Sequence, residues 1–227
     1  MRLLGVLGGM SWTSTAEYYR LLNESVGQRL GGLHTARLLI HSVDFAEVDA
    51  MARDENWAGM ANLLSDAARG LESAGAEAVL LAANTMHHVA PEIEAALNVP
   101  FFHIGEAIAL RVASHGATKV GLIASAQDDS SYRAALADEG IELMRPDEVE
   151  QADITHIIYD ELVHGVVRTP SRKRFQQIMA RLDKDGADGI ILADTEIQLL
   201  VRGEDADVPL YSSTQIHVEG AVAWMLG

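Results

Sequence analysis

Two stretches of this chain are near-copies of one another. Residues 75–85 read Gly-Ala-Glu-Ala-Val-Leu-Leu-Ala-Ala-Asn-Thr, and residues 186–196 read Gly-Ala-Asp-Gly-Ile-Ile-Leu-Ala-Asp-Thr-Glu. Each has Gly-Ala-acid, one small residue, an apolar run, then alanine and a polar tip. A short apolar run bounded by glycine is the pattern of a strand buried on both faces. Two further echoes keep the same order and nearly the same separation. Leu4-Gly5-Val6-Leu7 is matched by Val120-Gly121-Leu122-Ile123, and Val99-Pro100 by Val208-Pro209. The chain therefore reads as two related halves, each with a strand that ends in polar groups. In open α/β sheets, ligands bind outside the carboxyl ends of the strands. The expected site is a cleft between the two tips, with Ala83 and Asp194 as the aligned tip residues.

Between the echoes, strands alternate with helices. Leu3–Leu7 is a first strand, ended by Gly8-Gly9. Ser14 with Glu17 makes a capping box for the helix that follows. Strand, glycine turn, hydroxyls and helix N-terminus can bind an anion; a tight structural turn would look the same. Ala36–Ser42 is a second strand, with Asp44 an N-cap. One helical stretch runs on past Trp57 to Ser73, and a short helix covers Pro91–Leu97. Val99–His103 is a strand. In the second half, helices are expected from Gly105 to His115, Ser130 to Asp138, Asp153 to His164, Ser171 to Asp185 and Gln215 to Leu226. Strands are expected at Lys119–Ala124 and Val208–Ser212. Alternation of this kind means parallel sheets of βαβ units. The fold class is α/β, with two pseudo-symmetric Rossmann-like lobes and mostly parallel four-stranded sheets. The first lobe takes residues 1–100 plus 208–227, and the second takes 101–207.

Charge and composition narrow the function. A net charge of −16 argues against nucleic acid and against an anionic membrane surface, because both need clustered Lys and Arg. No apolar run approaches the length of a membrane span. The chain has no cysteine, which excludes disulfides, thiolate metal sites and thiol nucleophiles together and fits a cytoplasmic location. The G-x-G-x-x-G dinucleotide spacing is absent after the first strand. His87, His88, His103 and His217 with Asp194 and Glu196 match no metal-ligand spacing. Adjacent His87 and His88 are expected to face opposite ways, and no metal or cofactor is expected. The run Asp147-Glu148-Val149-Glu150 reads as a solvated face. Met86 and Trp12 read as packing.

Gly8-Gly9-Met10-Ser11-Trp12 with Ser14-Thr15 and Tyr18-Tyr19, Asn84-Thr85-Met86-His87, Thr195-Glu196-Ile197 and Ile216-His217 resemble the Asp/Glu racemase family, in particular its aspartate-racemase-like amino-acid racemases. The resemblance spans nearly the whole chain. It implies two similar lobes with the active site between them and cofactor-independent proton transfer beside a carboxylate. It also implies a small carboxylate or amino-acid substrate, and a homodimer. The substrate-side residues it implies are Met10, Ser11, Asn84, Thr85, His87, Ser125, Thr195 and Glu196. The family places a cysteine before Asn-Thr and another before Thr-Glu. Here those places hold Ala83 and Asp194, so Ala83 is a degenerate catalytic position. Other departures are Ala193, Ser212-Ser213, His88, Ala124-Ser125 and the acidic loop Ala126-Gln127-Asp128-Asp129.

A two-base racemase needs an acid and a base on opposite faces, and Ala83 is neither. Thr85 or His87 would have to cover that face. Asp194 has a reference proton affinity roughly 4.6 pKa units below a thiol, a deficit that burial can partly recover. As a purely structural group, it would cap the helix that follows. The reading is thus a racemase-like enzyme with Asp194 as catalytic acid/base and Thr85 beside it. The alternatives are a one-base isomerase, decarboxylase or lyase, or a non-catalytic small-acid-binding descendant.

Overall fold

The computed structural model describes residues 1–125 and 129–227. Of the acidic loop 126–129, only Asp129 lies within the described residues. The contacts divide the chain into two compact units, Met1–Ile104 with His217–Gly227, and Gly105–Ile216.

The first unit is a four-stranded parallel sheet of β1 (Leu4–Gly8), β2 (Leu38–Ser42), β3 (Ala78–Leu81) and β4 (Phe101–Phe102), in the order β2-β1-β3-β4. Alternate residues of β3 point to opposite faces. Val79 and Leu81 pack with α2 (Phe45–Arg53), α3 (Trp57–Ser73) and α4 (Ala90–Ala95). Ala78, Leu80 and Ala82 pack with Tyr18, Leu22 and Val26 of α1 (Trp12–Leu30), and with the end of the last helix. The long helix expected through Trp57 is two helices. Glu55, with φ +53°, breaks it, and Asn56 caps α3 by accepting from the Gly59 amide at 3.0 Å. Asp44 caps α2 as expected, accepting from Ala46 at 3.1 Å.

The second unit repeats the order as β6-β5-β7-β8, again all parallel: β5 (Lys119–Ile123), β6 (Glu142–Met144), β7 (Ile190–Leu192) and β8 (Leu210–Ser212). Its helices are α5 (Ile104–Ser114), α6 (Ser130–Asp138), α7 (Glu148–Asp160), α8 (Thr169–Lys184) and α9 (Ile197–Leu200), while α10 (Ser213–Leu226) starts in this unit and ends in the first. Ile154, Ile157 and Ile158 of α7 and Phe175, Ile178 and Leu182 of α8 pack on Ile123, Ile190 and Leu192.

Phe101–Phe102 pairs with β3 and so stays with the first unit, and Leu210–Ser212 pairs with β7 and so joins the second. The division falls inside α10, between Ile216 and His217.

The echo has a residue-by-residue cause. Gly75 and Gly186 sit at φ +102° and +98° and turn the chain out of α3 and α8, a conformation that glycine adopts without steric cost. Ala76 and Ala187 are buried and donate to the carbonyls of Leu71 and Leu182. The acid then receives amides at the start of the neighbouring strand. Glu77 accepts from Leu3 at 2.8 Å, and Asp188 accepts from Thr118 at 2.7 Å and Lys119 at 3.0 Å. These donors hold the Asp188 carboxyl below its ordinary range. Val79 and Ile190 donate to Pro100 and Pro209, both at 2.9 Å.

Candidate functional site

In the first unit, β1 runs into Gly8-Gly9 and the N-terminus of α1. Gly9 has φ +101°, and a Cβ there would lie 2.3 Å from the Val43 carbonyl oxygen. The N-cap is Ser11, not Ser14 as expected, and its hydroxyl accepts from the Ser14 amide at 3.5 Å. The Gly9 amide donates to the Thr15 hydroxyl at 2.8 Å, and Thr15 donates to the Ser11 carbonyl at 3.0 Å. One amide of the expected anion cradle is therefore satisfied internally. Met10 is buried, and Ser11 is partly exposed, with its hydroxyl 2.5 Å from that of Thr13.

At the other tip of this sheet, Ala83 is buried in the core beside Met86 and Val89. Asn84 is partly exposed and Thr85 is exposed, at the start of a 3-10 turn over Thr85–Val89. His87 does not reach the surface. It is 1% exposed, its Nε2 accepts from the Ile104 amide at 3.1 Å, and among the described residues its buried Nδ1 has no hydrogen-bond partner. Burial first, then His217 and His103 nearby, push it well below the ordinary histidine range. The ring is thus neutral and enclosed in the core of the first unit. His88 points outward against Trp57, with ring centroids 4.3 Å apart. His217 is a buried link. It accepts from the Tyr18 hydroxyl at 3.0 Å through Nδ1, and Nε2 donates to the Phe102 carbonyl at 2.9 Å. Burial lowers it to about 4.

The second unit gathers chemistry at the carboxyl edge of its sheet. Asp194 lies two residues past β7, and Ser125 two residues past β5. The Ser125 amide donates to one carboxylate oxygen of Asp194 and its hydroxyl to the other, both at 2.7 Å. Asp194 therefore does not cap α9; the strand pairing of β5 with β7 brings Ser125 to it instead. Burial raises Asp194 to about 6. The two Ser125 hydrogen bonds pull against that shift, Glu196 adds to it, and Arg145 opposes it. The Thr195 hydroxyl donates to the Glu196 carboxylate at 2.7 Å, so its proton is directed there.

Three residues not singled out from the sequence, Arg145, Gln151 and Tyr132, lie at this edge. Arg145 follows β6, Gln151 is on the first turns of α7, and Tyr132 on α6 bonds Ser213 at the start of α10. Burial raises the Tyr132 phenol, so it stays protonated. A weak signal pointed to Arg145: Ile141-Glu142-Leu143 alternates apolar and polar, the period of a strand, and Arg145 stands two residues beyond it. Among the described residues, no group of three or more His, Asp or Glu could hold a metal.

Residues 7–221 match the model of the Asp/Glu/Hydantoin racemase family. The chain belongs to that family. Among racemase relatives, broad-specificity amino-acid racemase RacX of Bacillus subtilis is 24% identical over 99% of this chain and 98% of its own. A Yersinia pestis protein of the Asp/Glu racemase type is 40% identical, with a TM-score of 0.95 over all of both chains. An aspartate racemase homologue from Pyrococcus horikoshii OT3 is 29% identical, with a TM-score of 0.91, again over all of both chains. The two all-parallel four-stranded sheets are thus the architecture of racemase structures, as expected. No helix among the described residues is long and apolar enough to cross a membrane.

Proposed function

We propose that this racemase-family chain moves a proton at the carbon next to the carboxylate of a small acid or amino acid, with Asp194 as its acid/base group. The observation that carries this reading is the state of Asp194: fixed by two 2.7 Å hydrogen bonds from Ser125 and raised to about 6 by burial. A proton-transfer group works best when its pKa lies near the operating pH. As a base, Asp194 takes the α-proton and leaves a carbanion beside the substrate carboxylate. As an acid, it returns that proton.

Ala83 specifically favours a one-base reaction. It has no exchangeable proton, and the chain has no cysteine to replace it. A single acid suffices where a C–C bond to a departing CO₂ breaks and the resulting carbanion takes its proton from Asp194. It also suffices for an isomerisation that delivers the proton to another carbon of the delocalised carbanion on the face from which it left. The test is turnover in D₂O on a panel of amino acids, dicarboxylic acids and aryl-substituted malonates, followed by NMR. Deuterium should enter with one stereochemical sense, and Asp194→Asn should abolish uptake while leaving carboxylate binding in place. Rapid racemisation of a plain amino acid with exchange from both faces, or full turnover by Asp194→Asn, refutes the proposal.

A further inference from the structure

The amide of Gln151 makes hydrogen bonds in two directions. Its nitrogen donates to the Ala124 carbonyl at 2.8 Å, and its oxygen accepts from the Arg145 guanidinium at 2.8 Å. Ala124 is the residue before Ser125, whose amide and hydroxyl hold Asp194. Thr155, one turn further along α7, accepts from the Gln151 amide at 3.3 Å. It shares its own proton between the carbonyls of Gln151 at 2.9 Å and Ser125 at 3.4 Å. One helix face thus grips the end of β5 from behind.

Arg145 stands one residue past β6, at the same carboxyl edge as Asp194. Only 20% of its side chain is exposed. The guanidinium stays charged at every working pH. Asp129, with its carboxylate 3.9 Å away, and Arg133, paired with Asp129, flank it from α6. Around Asp194 itself stand Ser125 from β5, Glu196 on its own loop, Arg145 beyond β6, and the neutral Tyr132 of α6 bonded to Ser213. Arg145 is the one cation in that set.

We infer that Gln151 and Arg145 are positioning residues that set the protonation of Asp194. Gln151 fixes the β5 end that holds the carboxylate and keeps the Arg145 guanidinium in place near it. An opposite charge favours the ionised carboxylate, so Arg145 works with the two stronger Ser125 hydrogen bonds against burial. This role affects turnover only if Asp194 is the proton-transfer group proposed above, but the titration of Asp194 can be followed with no substrate present.

The test is carbon-13 NMR of the full-length protein labelled at aspartate carboxyl carbons, with the Asp194 signal assigned by its loss in Asp194→Asn. In Arg145→Met, the Asp194 midpoint should rise by about one pH unit. Gln151→Leu should shift it the same way, and the double variant should move it little further than Arg145→Met alone. Arg145→Lys should restore much of the parent midpoint. Arg145→Gln gives the same reading should the Met variant fail to fold. An unchanged midpoint in folded Arg145→Met or Arg145→Gln overturns the inference, and an unchanged midpoint in Gln151→Leu overturns the part given to Gln151. If the midpoints shift but Asp194→Asn keeps full turnover, the proposed reaction fails and the positioning role stands.

Discussion

At Asp194 a carboxyl group is drawn in two directions. Burial favours the neutral form, while the Ser125 donors and Arg145 favour the ion, and burial prevails. The sign for stability follows. The folded value of about 6 lies above the reference 3.8, so folding favours the protonated acid. The contribution of Asp194 to stability is fully present below pH 3.8 and is lost as pH rises through 6. The difference amounts to about 3 kcal/mol at pH 8. Asp194→Asn stays neutral and can keep both Ser125 contacts. It should therefore be more stable than the parent by up to about 3 kcal/mol at pH 8 and equal to it below pH 4, by urea unfolding. A parent as stable as the variant at pH 8 would mean that the carboxylate is not strained. Gly9 makes the opposite demand. Gly9→Ala would place a Cβ 2.3 Å from the Val43 oxygen at a positive φ, and it should lose about 3 kcal/mol or more in the same assay.

Among the elements, α7 and α8 are joined by a charge pair under the sheet. Asp147 and Glu150 form a capping box at the start of α7. Glu150 is also buried and accepts from Arg181 of α8 at 2.5–2.9 Å. The acidic run 147–150, expected to be a solvated face, is thus partly an inward ion pair. Periodicity alone does not reveal this, because its cation lies 31 residues away. Arg181→Met would leave Glu150 buried and unpaired. A loss of about 2 kcal/mol is expected, tempered by the partial exposure of Arg181; a loss under about 0.5 kcal/mol would place the pair among those with no measurable worth. In the first unit, His217 ties α10 to Tyr18 of α1 and to the end of β4. Its folded value of about 4 lies below the reference 6.5, so this link contributes fully above pH 6.5 and is lost as pH falls towards 4, about 3 kcal/mol in all. His217→Gln can make both bonds without titrating. It should be less stable than the parent at pH 7.5, and the gap should close as pH falls to 4.5, in thermal melts across pH.

At the scale of the whole molecule, the two units should answer acid differently. His87, His103 and His217 are all lowered by burial, and all stabilise the first unit only while neutral. The second unit holds Asp194, whose folded state gains from protonation. Hydrogen exchange with mass spectrometry at pH 4.5 should therefore show β1 and β3 losing protection relative to pH 7.5, while β5 and β7 lose less. Equal losses in both units would show that the buried histidines do not govern acid stability.

The sequence by itself determined the strand tips, their order and the family. Those rest on local patterns: Gly-Ala-acid before an apolar run, glycine after a helix, and motifs a few residues long. It also placed Asp194 and Ala83 at aligned positions. Only the tertiary structure decided what Asp194 bonds to. Ser125 lies 69 residues away and meets it because β5 pairs with β7, and Arg145 comes to the same sheet edge because β6 pairs with β5. Likewise, His87 and His88 are indistinguishable as letters. The 3-10 turn sends one into the core beneath Ile104 and the other out onto Trp57. Which sheet Phe101–Phe102 and Leu210–Ser212 join was hidden for the same physical reason: a strand belongs to the sheet whose backbone it bonds, and non-local pairing leaves no mark in the local pattern of residues.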